Sequence, residues 1–277
     1  SGVIIKESGY ILTNFHVIAQ RDEIRVRLND GRVATAELIG SDPDTDIAVL
    51  KIELQDLPAL SIADVSQLRV GDIVLAIGDP FAIGQTVTQG IVSATGRTRV
   101  SQNTYENFIQ TDAVLNQGNS GGALVDSNGI LLGITNANFQ VLDSNNRARN
   151  VDGINFAVPY ELAKRVMDEI ISNGRVVRGQ LGFVGGENRN RPGIDVSAVA
   201  KGSPADIAGI RPGDIIVAID GVRLESASKT LDMLAETEHG TELDIELSRD
   251  GRSITLTATV AELRARRYAL LRLAEDF

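Results

Sequence analysis

With two histidines and no cysteine, this 277-residue chain has little chemistry open to it. Disulfides, thiolate zinc sites and thiol nucleophiles are excluded, and so is a histidine-rich metal site. Hydroxyl or carboxylate chemistry remains, or binding without chemistry; no metal or organic cofactor is implied. The sharpest local feature is Gly118-Asn119-Ser120-Gly121-Gly122. Glycines on both sides of a serine remove Cβ obstruction and permit positive φ, so Oγ can project from a tight turn while backbone N–H groups converge on one point. Acyl transfer needs that arrangement, a nucleophile beside donors aimed at a developing oxyanion. Taken alone, the pentapeptide fits a polar turn between strands as well.

Serine is a poor nucleophile without a base. His16 follows Tyr10-Ile11-Leu12-Thr13-Asn14 at the end of a strand-like run, whereas His239 lies in the polar turn Thr237-Glu238-His239-Gly240 and reads as surface. A third partner would be a carboxylate that fixes the imidazole tautomer. Asp46 abuts the apolar run Ile47 to Ile52 and is best placed to be rigid; Asp42 and Asp44 read as solvated loop residues. The set is then His16, Asp46 and Ser120, in the His-Asp-Ser chain order found on chymotrypsin-type barrels.

The elements that must hold these residues are short strands punctuated by turns. Val3 to Ile5 and Tyr10 to Leu12 flank Glu7-Ser8-Gly9, and Ile24 to Leu28 alternates before the turn Asn29-Asp30-Gly31. Ile47 to Ile52, Ile73 to Ile77, Thr86 to Ala94, Ile130 to Ile134 and Ile154 to Val158 continue the series, which predicts an antiparallel barrel or sandwich. After Pro159 the period changes: Leu162, Ala163, Val166, Met167, Ile170 and Ile171 predict a helix from Tyr160 to Asn173, stopped by Gly174. Residues 1–174 form one predicted domain. A compact unit at 179–261 follows, with strands at Ile194 to Val199, Asp214 to Asp220, Leu243 to Leu247 and Ile254 to Val260. Its helices start at Ser203-Pro204 and at Ser226, the second with Leu231, Met233 and Leu234 as its apolar side. Residues 262–277 are rich in helix formers and predict a short helical tail.

The net charge of −10 offers no basic face for phosphate backbones, which argues against nucleic acid as a partner. No apolar run approaches the ~20 residues of a membrane-spanning helix. Residue 1 opens directly into strand-like sequence without a signal peptide, so the expectation is a mature or trimmed soluble part.

Thr13-Asn14-Phe15-His16-Val17, Thr45-Asp46-Ile47-Ala48-Val49-Leu50-Lys51 and Gln110-Thr111-Asp112-Ala113 running to Gly118-Asn119-Ser120-Gly121-Gly122-Ala123-Leu124 resemble the HtrA family of serine proteases. Arg178-Gly179-Gln180-Leu181-Gly182 and Ser203-Pro204-Ala205 through Gly213-Asp214-Ile215-Ile216 resemble its PDZ domain. One PDZ domain makes the chain most similar to the DegS branch. The resemblance implies a mainly β chain: a chymotrypsin-like double β-barrel, its N-terminal strands missing here, followed by a small α+β PDZ domain.

The resemblance also implies roles. Ser120 would be the nucleophile, His16 the base, Asp46 its orienter, and the N–H groups of Gly118 and Ser120 the oxyanion hole. Leu115, Ile134, Thr135, Asn136 and Ala137 would line the primary specificity pocket, and Arg97 would relay PDZ occupancy to the active site. Gln180, Leu181, Gly182 and Phe183 would grip a ligand's C-terminal carboxylate. Gln117 stands where proline is common and Gln180 where an aromatic residue is usual, so neither resting geometry nor ligand preference carries over. The implied protein is a periplasmic homotrimer, membrane-bound only through an N-terminal anchor absent here. It would cleave an anti-sigma factor when C-terminal peptides of misfolded outer-membrane proteins occupy the PDZ domain. The alternative is a PDZ-based chaperone or adaptor with a resting-inactive triad. Because such PDZ domains take ligands ending in a hydrophobic-x-Phe pattern, the end at Phe277 is also a candidate self-ligand.

Overall fold

A computed structural model describes residues 1–62, 68–98, 100, 103–142, 148–188 and 191–263. It divides into two compact units, Ser1–Val176 and Val177–Phe277.

The first unit opens with β1 (Val3–Ile4), β2 (Tyr10–Asn14), the single turn α1 (Phe15–Ile18), β3 (Ile24–Arg27), β4 (Val33–Asp42) and β5 (Ile47–Lys51). Their order in an antiparallel sheet is β1-β2-β5-β4-β3. β5 lies inside this sheet and is buried on both faces, which explains its unbroken apolar run. Ile47 and Val49 enter one core, Ala48 and Leu50 the other.

Then follow β6 (Ile73–Gly78), a 3₁₀ turn at Pro80–Ala82, β7 (Thr86–Arg97), β8 (Phe108–Thr111), β9 (Ala123–Asp126), β10 (Leu131–Leu142) and β11 (Ala148–Pro159). These six strands close into a barrel in the order β10-β11-β8-β7-β6-β9. Val74, Val92, Ile109, Leu124 and Leu132 are among the side chains that fill it.

The helix α2 (Tyr160–Asn173) ends the unit. Tyr160, Ala163, Val166, Met167 and Ile170 form its buried stripe at helical spacing. Gly174 takes φ 73° and returns its N–H to the Ile170 carbonyl. Gly40 is needed opposite this helix, since a Cβ there would lie 2.7 Å from Ile170 Cγ2. Truncating Met167 or Ile170 to alanine removes ~2–5 kcal/mol.

The second unit comprises β12 (Gly179–Gln180), β13 (Phe183–Asn188), β14 (Arg191–Val199), α3 (Pro204–Ala208), β15 (Ile215–Ile219), β16 (Val222–Arg223), α4 (Ala227–Glu236), β17 (Glu242–Arg249), β18 (Arg252–Thr259) and β19 (Ala261–Glu262). The main sheet runs β13-β14-β15-β17-β18, with β16 paired to β15, and β12 pairs separately with β19. Ser203 and Ser226 cap α3 and α4 by accepting the N–H groups of Asp206 and Lys229. Arg249 grips the buried carboxylate of Asp214 from two nitrogens at 2.7 and 2.8 Å and also reaches the Gly209 carbonyl.

Several elements differ from the sequence expectation. β8 and β9 are strands because barrel closure supplies their partners, although each run is only four residues long. Leu231, expected in the apolar face of α4, is solvent-facing, and Thr230 and Ala235 are buried instead beside Leu234. The pairing of β19 with β12 carries the second unit past residue 261. The expected helical tail falls, from residue 264 onward, outside the described residues.

Candidate active site

β2 ends at Asn14 and the chain turns at once into α1, so His16 stands within one turn of the strand end. The pairing of Asn14 with Ile47 brings Asp46 alongside. The Asp46 carbonyl accepts the Phe15 N–H at 3.0 Å and Asn14 Nδ2 at 3.1 Å. Its carboxylate accepts the His16 N–H on Oδ1 at 2.9 Å and faces His16 Nδ1 from Oδ2 at 2.6 Å. Asn136 Nδ2 donates to the same Oδ2 at 3.0 Å. An ionised carboxylate only accepts, so Nδ1 carries the ring's proton and Nε2 remains the acceptor.

Asp46 has φ 59°, in the left-handed region that aspartate and asparagine tolerate best among residues with a side chain. Its neighbours are held more firmly than the expectation of solvated loop residues, Asp44 being half-buried. Asp42 is buried and accepts the Thr45 hydroxyl at 2.5 Å, and Asp44 accepts the Thr104 hydroxyl at 2.7 Å. Both carboxylates pin the loop that presents Asp46.

Ser120 sits between two glycines in positive φ, Gly118 at 105° and Gly121 at 82°. A Cβ at Gly118 would lie 2.6 Å from the Asp79 carbonyl, and one at Gly121 would lie 2.3 Å from Thr13 Oγ1. The Gln117 carbonyl accepts the Phe81 N–H at 2.9 Å. The Asn119 carbonyl accepts Thr135 Oγ1 at 2.6 Å and the Gly122 N–H at 2.9 Å. In a trans peptide the N–H points opposite its C=O, so both anchors turn the Gly118 and Ser120 N–H groups the other way. Among the described residues neither N–H donates to a protein acceptor. The loop therefore holds two unused donors beside a hydroxyl, an arrangement able to receive an oxyanion. Gln117 contributes through its backbone carbonyl, a group that proline would supply equally.

The Ser120 hydroxyl donates to the Asn136 carbonyl at 2.5 Å, and among the described residues it makes no bond to His16. Asn136 thus touches the candidate nucleophile with its main chain and the candidate acid with its side chain. That role could not be read from sequence, because 90 positions separate Asn136 from Asp46.

The other residues expected to line a pocket are placed differently from one another. Leu115 lies in the barrel interior, Ile134 in the core under α2, and Thr135 is turned to the Asn119 carbonyl. Ala137 continues β10. Arg97 ends β7, where its Nε donates to Gln110 Oε1 of β8 at 2.8 Å. His239 is exposed in the turn before β17.

The second unit holds a comparable turn. The Leu181 carbonyl accepts the Ala205 N–H at 2.8 Å and the Gly182 carbonyl accepts the Ala200 N–H at 2.9 Å. By the same geometry the N–H groups of Gly182 and Phe183 are turned outward, at the start of the edge strand β13. Gly182 has φ 81°, and a Cβ there would lie 2.4 Å from Ser203 Cβ. Leu181 is buried in the domain core with Phe183 packed against it. Gln180 reaches the Glu262 carbonyl from Nε2 at 3.3 Å, across the β12–β19 pair.

Residues 1–134 match the trypsin-like peptidase domain and residues 196–249 the PDZ domain. Over 276 residues the chain is 45% identical to the serine endoprotease DegS of Escherichia coli K12, covering 96% of this chain and 77% of that protein. It is 43% identical over 275 residues to a probable periplasmic serine endoprotease DegP-like of Hahella chejuensis, covering 96% of this chain and 57% of that one. The solved structure of the HtrA-type protease AlgW with decapeptide superposes with a TM-score of 0.86 at 44% identity, over 95% of this chain and 82% of that chain.

Proposed function

Because the chain belongs to the HtrA family of serine endoproteases, we propose that Ser120, His16 and Asp46 are its catalytic triad. The observation that carries this reading is the Asp46-fixed imidazole sharing one site with Ser120 and two unused N–H donors. His16 Nε2 takes the proton as Ser120 Oγ attacks the substrate carbonyl carbon, and the Gly118 and Ser120 N–H groups hold the resulting oxyanion. Collapse breaks the C–N bond, His16 returns the proton to the leaving amine, and water repeats the cycle on the acyl-enzyme. Asp46 orients the ring and stabilises its charged form throughout. The parked Ser120 hydroxyl describes a resting state, from which substrate must release Oγ towards His16.

The second unit reads as the regulator. A peptide adds to the open edge of β13 with its C-terminal carboxylate on the Gly182 and Phe183 N–H groups, and Arg97 relays that occupancy to the active site. The peptide-bound relative and the periplasmic names among the relatives support a periplasmic protease governed by exposed C-termini. By the same likeness the protein is a homotrimer, anchored at the inner membrane by a preceding segment, that cleaves a membrane-bound anti-sigma factor when misfolded outer-membrane proteins present their ends. Cleavage of a fluorogenic peptide library, with and without free C-terminal peptides, tests this reading. Stimulated cleavage that disappears in Ser120→Ala supports it; stimulated peptide binding without any cleavage favours the chaperone or adaptor alternative. Arg97→Ala should alter the stimulation about 5- to 150-fold.

A further inference from the structure

β13 is an edge strand of its sheet and runs antiparallel to helix α4. β12 passes the C-terminal end of α4, where a Cβ at Gly179 would lie 2.4 Å from the carbonyls of Leu234 and Thr237. At the other end Glu187 Oε2 accepts the N–H of Ala227, the first residue of α4, at 2.7 Å. Glu187 therefore reaches the start of α4, at the end of β13 opposite the Gly182–Phe183 turn.

Strand register then fixes which ligand residue Glu187 would meet. The Ala200 N–H bonds the Gly182 carbonyl, so Phe183 and Val199 are a non-bonded pair and Phe183 turns its own N–H and C=O to the open edge. Val196 exchanges bonds with Gly213 and Asp214 on its far side. Its neighbour Asp195 consequently faces β13 and pairs with Gly186. Glu187, next along, again turns its N–H and C=O to the open edge. An antiparallel ligand held by its carboxylate at Phe183 places its last residue opposite Phe183, the residue two before it opposite Gly185, and the residue four before it opposite Glu187.

Residues directly opposite one another send their side chains to the same face of a sheet. Phe183 and Glu187 share the α4 face of β13, Phe183 packing into the core and Glu187 reaching Ala227. We infer that Glu187 is a specificity-determining residue of the peptide groove, selecting Lys or Arg four positions before a ligand's C-terminal residue. The inference rests on the C-terminal-peptide reading of the second unit and adds to it a charge preference at one named position.

The test is fluorescence anisotropy of labelled heptapeptides Gly-Ser-X-Ser-Tyr-Ala-Phe, with X as Lys, Ala or Glu, at low ionic strength on the whole chain. Each is made with a free carboxylate and with an amidated end. Binding should require the carboxylate and rank Lys above Ala above Glu, with a Lys-to-Glu ratio of roughly three- to tenfold. Glu187→Gln keeps a carbonyl oxygen for the Ala227 N–H, so its urea midpoint should hold while the ratio falls to about one. Carboxylate-dependent binding without a ranking overturns the inference alone, as does a ranking that survives in Glu187→Gln. Binding indifferent to amidation, or no binding, overturns the groove reading and the inference with it.

Discussion

The turn at Gln117–Ser120 and the turn at Leu181–Phe183 are built on one principle and secured differently. Each uses a glycine in positive φ, and each has two carbonyls anchored, alternate in the first turn and successive in the second, so that the opposite N–H groups face outward. In the second unit Ala200 is half-buried, but Ala205 is fully buried, as is Ser203, whose hydroxyl adds a bond to the Gly182 carbonyl. In the first unit one anchor is the N–H of Phe81, a residue that is 62% exposed and whose φ is 55°, followed by Ala82 at the same angle. Two non-glycine residues in that region cost ~1–2 kcal/mol each. Local opening draws on segments with few buried contacts, so the candidate catalytic turn can lose its anchor while the other stays formed. A standing carboxylate suits a permanent cradle; a charge that exists only in the transition state suits one that can be withdrawn.

The contrast breaks most decisively if the two turns share a function. Ser120→Ala and His16→Ala should each lower kcat by ~10⁴–10⁶, with the double variant scarcely worse than either, because the residues act as one unit. C-terminal peptide affinity should be untouched in all three, and His239→Ala should change neither quantity. Multiplicative losses, or a loss of peptide affinity, would end the separation. Gly118→Ala sharpens it: a Cβ pressed on the Asp79 carbonyl should displace one proposed oxyanion donor and lower kcat by ~10²–10³, again with peptide affinity retained in anisotropy. Gly182→Ala should do the converse. Losing a hydrogen bond to a charged group weakens peptide binding by about 10- to 100-fold, while cleavage measured without peptide stays at its basal rate.

The last expected effect concerns the Asp214–Arg249 pin, which also holds the Gly209 carbonyl at the end of α3. Burial opposes ionisation of Asp214, but the Arg249 hydrogen bonds, the Arg211 N–H and both guanidinium charges outweigh it and hold the carboxyl below its usual range. A carboxylate depressed on folding contributes stability that is complete above its unfolded value and is lost as pH falls through the folded one. Urea unfolding of the whole chain at pH 7 and pH 3 should show this loss in the transition of the second unit. Asp214→Asn should cost ~1–3 kcal/mol at pH 7 and remove that contribution to the pH dependence.

Much of this was legible in local pattern, and the rest depended on contacts far apart in the chain. The alternation of Ile24 to Arg27, the helical stripe from Tyr160 to Ile170 and the Gly174 stop are local signals, and the structure follows them. Phe108 to Thr111 carries no such signal; β7 and β11 on either side make it a strand. α1 is a single turn without a side-chain cap, held by the Asp46 carbonyl rather than by propensity. Asp42 looks solvated in sequence because nothing local announces that the end of β4 turns it inward onto Thr45. In the candidate site, the order of His16, Asp46 and Ser120 could be read directly. The contributions of Asn136 and Phe81 could not, since each acts through a backbone or amide group that any sequence motif leaves unspecified.

The left-handed backbone of Asp46 has a consequence for heredity. Glutamate keeps the charge, and alanine or valine keeps a small side chain, but all three resist that conformation. Asparagine accepts it, and a single base transition in either aspartate codon produces it. Glycine accepts it too and is likewise one transition away. A mutational step that this loop tolerates without refolding is therefore also one that leaves the imidazole in the wrong tautomer or without its partner. Lineages that abandon proteolysis while keeping the fold should carry Asn or Gly at this position, and a comparison of descendant sequences would display the loss of activity as one letter.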